Sequence, residues 1–117
     1  MLVVVAAICL LLAACLLVAP EAMVRAWPWK LPPLLASIYA GPFFAYGVCA
    51  LMLAREAEAE SRRIVLVSML AFTVLVLLAS SMHLKLFHFE AVSAWVWFGA
   101  QVVCGLALAW RLAPARR

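Results

Sequence analysis

Four stretches of the chain carry almost no polar side chains, and each is closed by charge, proline or an aromatic loop. Residues 2–19 hold no charge and would make a helix of about 27 Å, close to a bilayer hydrocarbon core of about 30 Å. Pro20 ends that run, and a loop follows with Glu21, Arg25 and the string Trp27-Pro28-Trp29-Lys30-Leu31-Pro32-Pro33. The last two prolines suit the first turn of a helix predicted over 34–54, where a missing N–H would be unpaired anyway. Pro42 lies inside that helix and predicts a kink near Ile38 to Gly41, because its ring removes one backbone bond and crowds the preceding turn. The charged stretch 55–63 reads as a solvated turn or a short helical extension. A Leu- and Val-rich helix is predicted over 64–82, with Ser68, Thr73, Ser80 and Ser81 able to return hydrogen bonds to their own backbone. A short amphipathic link over 83–90 leads to the last predicted helix, 91–110.

The apolar runs do not alternate with polar residues, as strands of a membrane barrel would. In hydrocarbon every unpaired backbone group costs several kcal/mol, so the runs must be helical. The expected fold is therefore all-α, a single membrane domain over 1–117 built as an up-down-up-down four-helix bundle. Composition agrees: the chain has 117 residues, 71% hydrophobic and 12% charged, whereas soluble domains are about half apolar and a quarter charged. Leu12-Ala13-Ala14-Cys15 looks like a lipoprotein cleavage box. Against processing there, no Lys or Arg precedes the apolar run and Leu16, Leu17 and Val18 continue it.

Net charge is +4, yet the basic residues sit at the ends of apolar runs and form no stripe for nucleic acid. They read instead as orientation signals. Arg55, Arg62, Arg63, Arg111, Arg116 and Arg117 make six on one side, against Arg25, Lys30 and Lys85, three, on the other. Cytoplasmic segments carry the excess of Lys and Arg, which predicts an inner-membrane protein with both termini in the cytoplasm.

Two sets of residues are candidates for function. On the predicted second helix Ser37, Gly41, Ala45 and Cys49 recur every four residues, and Gln101, Gly105 and Ala109 do so on the last. Small side chains at this spacing let helices approach closely, in one bundle or between chains. Gln101 reads first as an interhelical hydrogen bonder and second as a substrate or quinone contact. The outer loops gather Glu21, Arg25, Trp27, Trp29, Lys30, His83, Lys85, His88 and Glu90, with Trp95 and Trp97 nearby. These fit either an aromatic belt with snorkelling cations or a small polar site at the outer interface, with a histidine as proton carrier or ligand.

Cofactor chemistry finds no foothold. Cys9, Cys15, Cys49 and Cys104 form no C-x-x-C pair and have no histidine at metal-ligand spacing, so no metal site is expected and they read as small packing residues. His83 and His88 are five apart and would point to different helix faces, and a haem would have to be shared between subunits. Small multidrug transporters use a Glu in their first helix, and vitamin K epoxide reductase-like enzymes use a C-x-x-C pair. Neither feature is present here.

The string Trp27-Pro28-Trp29-Lys30-Leu31-Pro32-Pro33-Leu34 recurs in outline elsewhere, together with the small-residue helix, His83, Phe87, Phe89 and Ala94-Trp95-Val96-Trp97-Phe98. It resembles small four-helix membrane proteins of high-GC, actinobacterial-type bacteria. That family's loop reads more nearly Trp-Pro-Trp-x-Leu-Thr-Pro-Leu, so Pro32 departs from it at the Thr. The resemblance implies a four-helix membrane fold and no activity. The leading functional expectation is a non-catalytic accessory or structural subunit, in contact with the bilayer and packing with itself or other membrane subunits. The alternative is a small transporter or lipid-interacting protein that uses the outer polar rim. No charge lies inside the helices and no nucleophile has a base nearby in the sequence, which argues against an enzyme.

Overall fold

A computed structural model describes residues 1–114; Arg116 and Arg117, counted above for orientation, lie outside them. The described residues form five α-helices and no strand: α1 (Leu2–Val18), α2 (Pro20–Ala26), α3 (Pro33–Arg55), α4 (Ala59–Met82) and α5 (Val92–Leu112). Three of these, α3, α4 and α5, are each long and apolar enough to cross a membrane. A fourth crossing exists if α1 and α2, bent by 118° at Ala19, count as one broken span.

The boundaries differ from the sequence expectation in ways local chemistry explains. The stretch after Pro20 is a helix where a loop was expected. Pro20 cannot continue α1 but is a good first residue for α2, and Glu21 in the first turn with Arg25 in the last complement its dipole. Trp27, next to Pro28, is extended. The charged stretch resolves into a short link followed by helix, since α4 begins at Ala59, five residues before Ile64. Pro42 leaves α3 unbroken from Pro33 to Arg55. The link after α4 holds a single 3-10 turn, Leu84–Leu86.

The helices meet along seams with a common spacing. Along α1 one line of buried and half-buried positions runs through Leu2, Ala6, Cys9, Ala13 and Leu16, and along α3 one runs through Ala36, Ala40, Phe43, Gly47 and Ala50. Such a line on α4 runs through Leu66, Met69, Thr73, Val76 and Ser80, and on α5 through Ala94, Trp97, Gln101, Cys104 and Leu108. Every set alternates steps of three and four, an average of 3.5 residues, which holds a stripe on one face of neighbouring helices. The most extensive pairing is α1 with α3, followed by α4 with α5.

Within the chain, α3 packs through a different face from the small-residue ladder. Ser37, Gly41, Ala45 and Cys49 step by four, so each turns about 40° further round a helix of 3.6 residues per turn. Gly41, Ala45 and Cys49 are exposed, and a Cβ on Gly41 would meet nothing within 4 Å. The close approach is at Gly47, where a Cβ would come to 2.9 Å from Leu10 Cγ and 3.2 Å from Cys9 Cβ. On α5 a Cβ on Gly105 would lie 3.6 Å from Thr73 Cγ2, Gln101 is half-buried and Ala109 is exposed.

Outside the seams the bulky aliphatic residues point away from the protein. Val3, Leu11, Leu75, Val103 and Leu106 are each at least 60% exposed. An apolar coat of this extent suits hydrocarbon and not water. The exposed hydroxyls Ser68 and Ser81 are neutralised by donation to Ile64 O and Leu77 O, at 2.9 and 2.8 Å.

Candidate binding cavity

Two packed clusters close the ends of the helices. In the first, Leu2, Ala6, Ala50, Leu53, Leu66, Met69 and Leu108 draw all four long helices together. In the second, Ala13, Leu16, Leu31, Ala36 and Ala40 pack around Trp27, with Trp29, Phe43 and Trp97 against them. Small and branched residues let the helices approach closely at the first end.

The second end is built by the loop between α2 and α3 and the link between α4 and α5. His88 N donates to Pro28 O at 2.8 Å, and Trp29 bridges antiparallel to Phe87. Trp27 and Trp29 meet edge to face with centroids 5.3 Å apart, and Trp97 lies 6.1 Å from Trp27 and 5.1 Å from Trp29. Such contacts add about 0.5–1.5 kcal/mol per pair beyond area burial. Trp27 Nε1 is buried and has no hydrogen-bond partner among the described residues, a polar cost of about 1–3 kcal/mol that the aromatic packing must offset.

Between the clusters lies a half-open cavity of about 970 Å³, lined by residues of every α-helix and of both aromatic loops. Its wall is apolar and aromatic, broken by Tyr46, Ser80, His83, Ser93, Gln101 and the thiols of Cys9 and Cys104. At its deep end, hydrogen bonds tie three helices. Thr73 Oγ1 donates to Met69 O at 2.9 Å, which uses its only proton. Tyr46 therefore donates to Thr73 Oγ1 at 3.0 Å, leaving the Cys104 thiol to donate to the phenol oxygen at 3.2 Å. Near the outer end Trp97 Nε1 donates to Ser80 Oγ at 3.2 Å, and His83 Nδ1 lies 2.9 Å from Ala79 O.

Of the outer-rim residues expected from the sequence, the structure brings Trp27, Trp29 and His83 to the cavity. Glu21, Arg25, Lys30, Lys85, His88 and Glu90 are exposed and do not line it. Of the expected packing residues, Gln101 lines the cavity while Ser37, Gly41, Ala45, Cys49, Gly105 and Ala109 do not. Tyr46, Thr73, Ser80 and Cys104 had not been picked as site residues. For Thr73, Ser80 and Cys104 the sequence signal is a polar side chain falling on the three-four stripe of an apolar helix; Tyr46 lies beside the stripe of α3 and gives no such signal. The four cysteines are free, and no group of three or more His, Cys, Asp or Glu able to hold a metal occurs among the described residues.

Comparison with protein-family models, with curated proteins and with solved structures gives no match. The functional reading therefore stands on the cavity and its chemistry.

Proposed function

We propose that this chain is a multi-pass membrane protein whose four crossings run up-down-up-down, with both termini on the more basic, cytoplasmic face, and that it holds a lipid-derived ligand between its helices. The single observation carrying the ligand reading is the 970 Å³ cavity, near the upper end of the ordinary range for small-molecule sites, about 300–1,000 Å³. Apolar walls with a few convergent polar groups are the usual makeup of such sites. The reading favours the lipid-interacting alternative over a purely structural role. Native mass spectrometry of the protein released from its own membrane tests it: the wild type should carry an apolar adduct, and Ala100→Trp, which fills the cavity from its wall, should lose it. Wild-type protein free of any adduct, and unable to take one up from added lipid, would defeat the proposal.

A second reading is favoured by one observation. Gly41, Ala45 and Cys49 face outward on α3 with open space around Gly41, a surface suited to another membrane helix. Under this reading the protein is an accessory subunit, and disulfide crosslinking through Cys49 in native membranes should capture a second copy or a partner. A monomer in mild detergent that crosslinks to nothing would dispose of it.

A further inference from the structure

The hydroxyls of α4 fall into two kinds. Ser68, Thr73 and Ser81 each donate to the carbonyl four residues back, at 2.8–2.9 Å, which hides their polarity. Ser80 accepts from Trp97 Nε1 and donates to nothing among the described residues, although it is only 8% exposed and lines the cavity. Its proton is left for whatever occupies that space.

His83, three residues on, lines the same cavity. Its Nδ1 lies 2.9 Å from the Ala79 carbonyl oxygen. A carbonyl only accepts, so Nδ1 carries a hydrogen, and a neutral ring then presents a lone pair at Nε2. His83 N donates to Ser80 O at 3.2 Å, so the cavity wall carries a hydroxyl donor and an imidazole acceptor one helical turn apart. The Trp27 N–H cannot serve the ligand, because the atom is sealed within the aromatic cluster.

This pairing discriminates among head groups. A hydrocarbon would use neither group, and a ketone or ester carbonyl would use Ser80 alone. A carboxylic acid uses both, its carbonyl oxygen accepting from Ser80 and its O–H donating to His83 Nε2. Transfer of that proton gives an imidazolium–carboxylate pair with no other bond changed. The apolar depth takes the remainder of such a molecule: from Trp97, which meets Ser80, the wall follows α5 to Cys104 for seven residues, about 10 Å, and the volume of about 970 Å³ accommodates a longer chain in a bent conformation.

We propose that the cavity binds a long-chain monocarboxylic acid, with its carboxyl group at Ser80 and His83 and its chain running inward toward Cys104. The proposal rests on the reading of the cavity as a ligand site. To test it, the full chain in detergent is incubated with palmitic acid, its methyl ester or hexadecane at equal concentration, and bound ligand is read by native mass spectrometry. Palmitic acid should bind about ten-fold more tightly than the ester, the effect of one charge-assisted hydrogen bond. His83→Ala should bring the acid down to the ester's level and leave the ester unchanged, whereas Ser80→Ala should weaken both. His83 is exposed, so its variant carries the test even if loss of the Trp97 partner prevents Ser80→Ala from folding. Equal binding of acid and ester, indifferent to His83→Ala, would overturn the head-group assignment and leave the cavity reading in place. Failure of all three molecules to bind would overturn both.

Discussion

The two ends of this helical bundle are closed by opposite means. Around Leu2, Ala6, Ala50 and Leu108 the side chains are small or branched, and the helices come close enough to fill the space with aliphatic contacts. Around Trp27, Trp29, Phe43 and Trp97 the side chains are the largest available, contributed largely by loops, and they enclose a space they do not fill. In a bilayer the hydrophobic effect does not drive helices together, because lipid tails are as apolar as leucine, so contact area and hydrogen bonds decide the packing. The aliphatic end maximises contact. The aromatic end gives up some of it and keeps a cavity with polar groups on its wall.

Substitutions can break or sharpen that contrast, beginning with the largest expected effect. Trp27→Ala removes the ring on which the aromatic cluster converges and should cost about 3–5 kcal/mol. A thermal or denaturant melt in detergent would measure the loss, with Trp110→Ala, 77% exposed, as a control that leaves stability within about 0.5 kcal/mol. Next comes Gly47→Leu, which drives side-chain atoms into Leu10 and Cys9 at the tight α1–α3 contact and should cost about 1–3 kcal/mol. Tyr46→Phe deletes the hydroxyl that links Thr73 to Cys104 and should cost about 1 kcal/mol. A near-zero effect would mean that the polar ties at the deep end of the cavity contribute little to holding the helices. The smallest effect is expected for Gly41→Leu, whose added atoms enter open space: monomer stability should stay within about 0.5 kcal/mol. A large loss at that position would show that the outward face of α3 is covered after all.

The contrast between Gly41 and Gly47 also marks how far the fold was legible in advance. The approximate spans of the four long helices followed from long uncharged runs, because no other backbone arrangement satisfies its own hydrogen bonds in hydrocarbon. The face of α3 did not follow. A strict four-residue repeat is conspicuous in the sequence, but it winds about 40° per step around the helix axis, whereas Ala36, Ala40, Phe43, Gly47 and Ala50 stay on one line. Likewise, α2 was read as loop because Pro20 and the charged residues ended an apolar run. Pro20 in fact starts a new helix in another direction.

The candidate site was partly legible. Trp27, Trp29 and His83 stood out as aromatic and titratable residues near the ends of apolar segments, and they do share the cavity. Ser80 did not stand out from Ser68 and Ser81. All three are serines on one apolar helix, and only the position of Trp97 on α5 separates Ser80 from the others.

By itself, then, the sequence determined an all-helical chain with four apolar runs; three became helices long enough to cross a membrane, and the first became a helix bent against the next. Apolar length and backbone satisfaction are local properties, readable along the chain. Only the tertiary structure decided which stripe of each helix faces inward, that the two aromatic loops join through Pro28 and His88, and that Ser80 and His83 line a common space. Those outcomes depend on where side chains from distant helices meet, and no single helix contains that information.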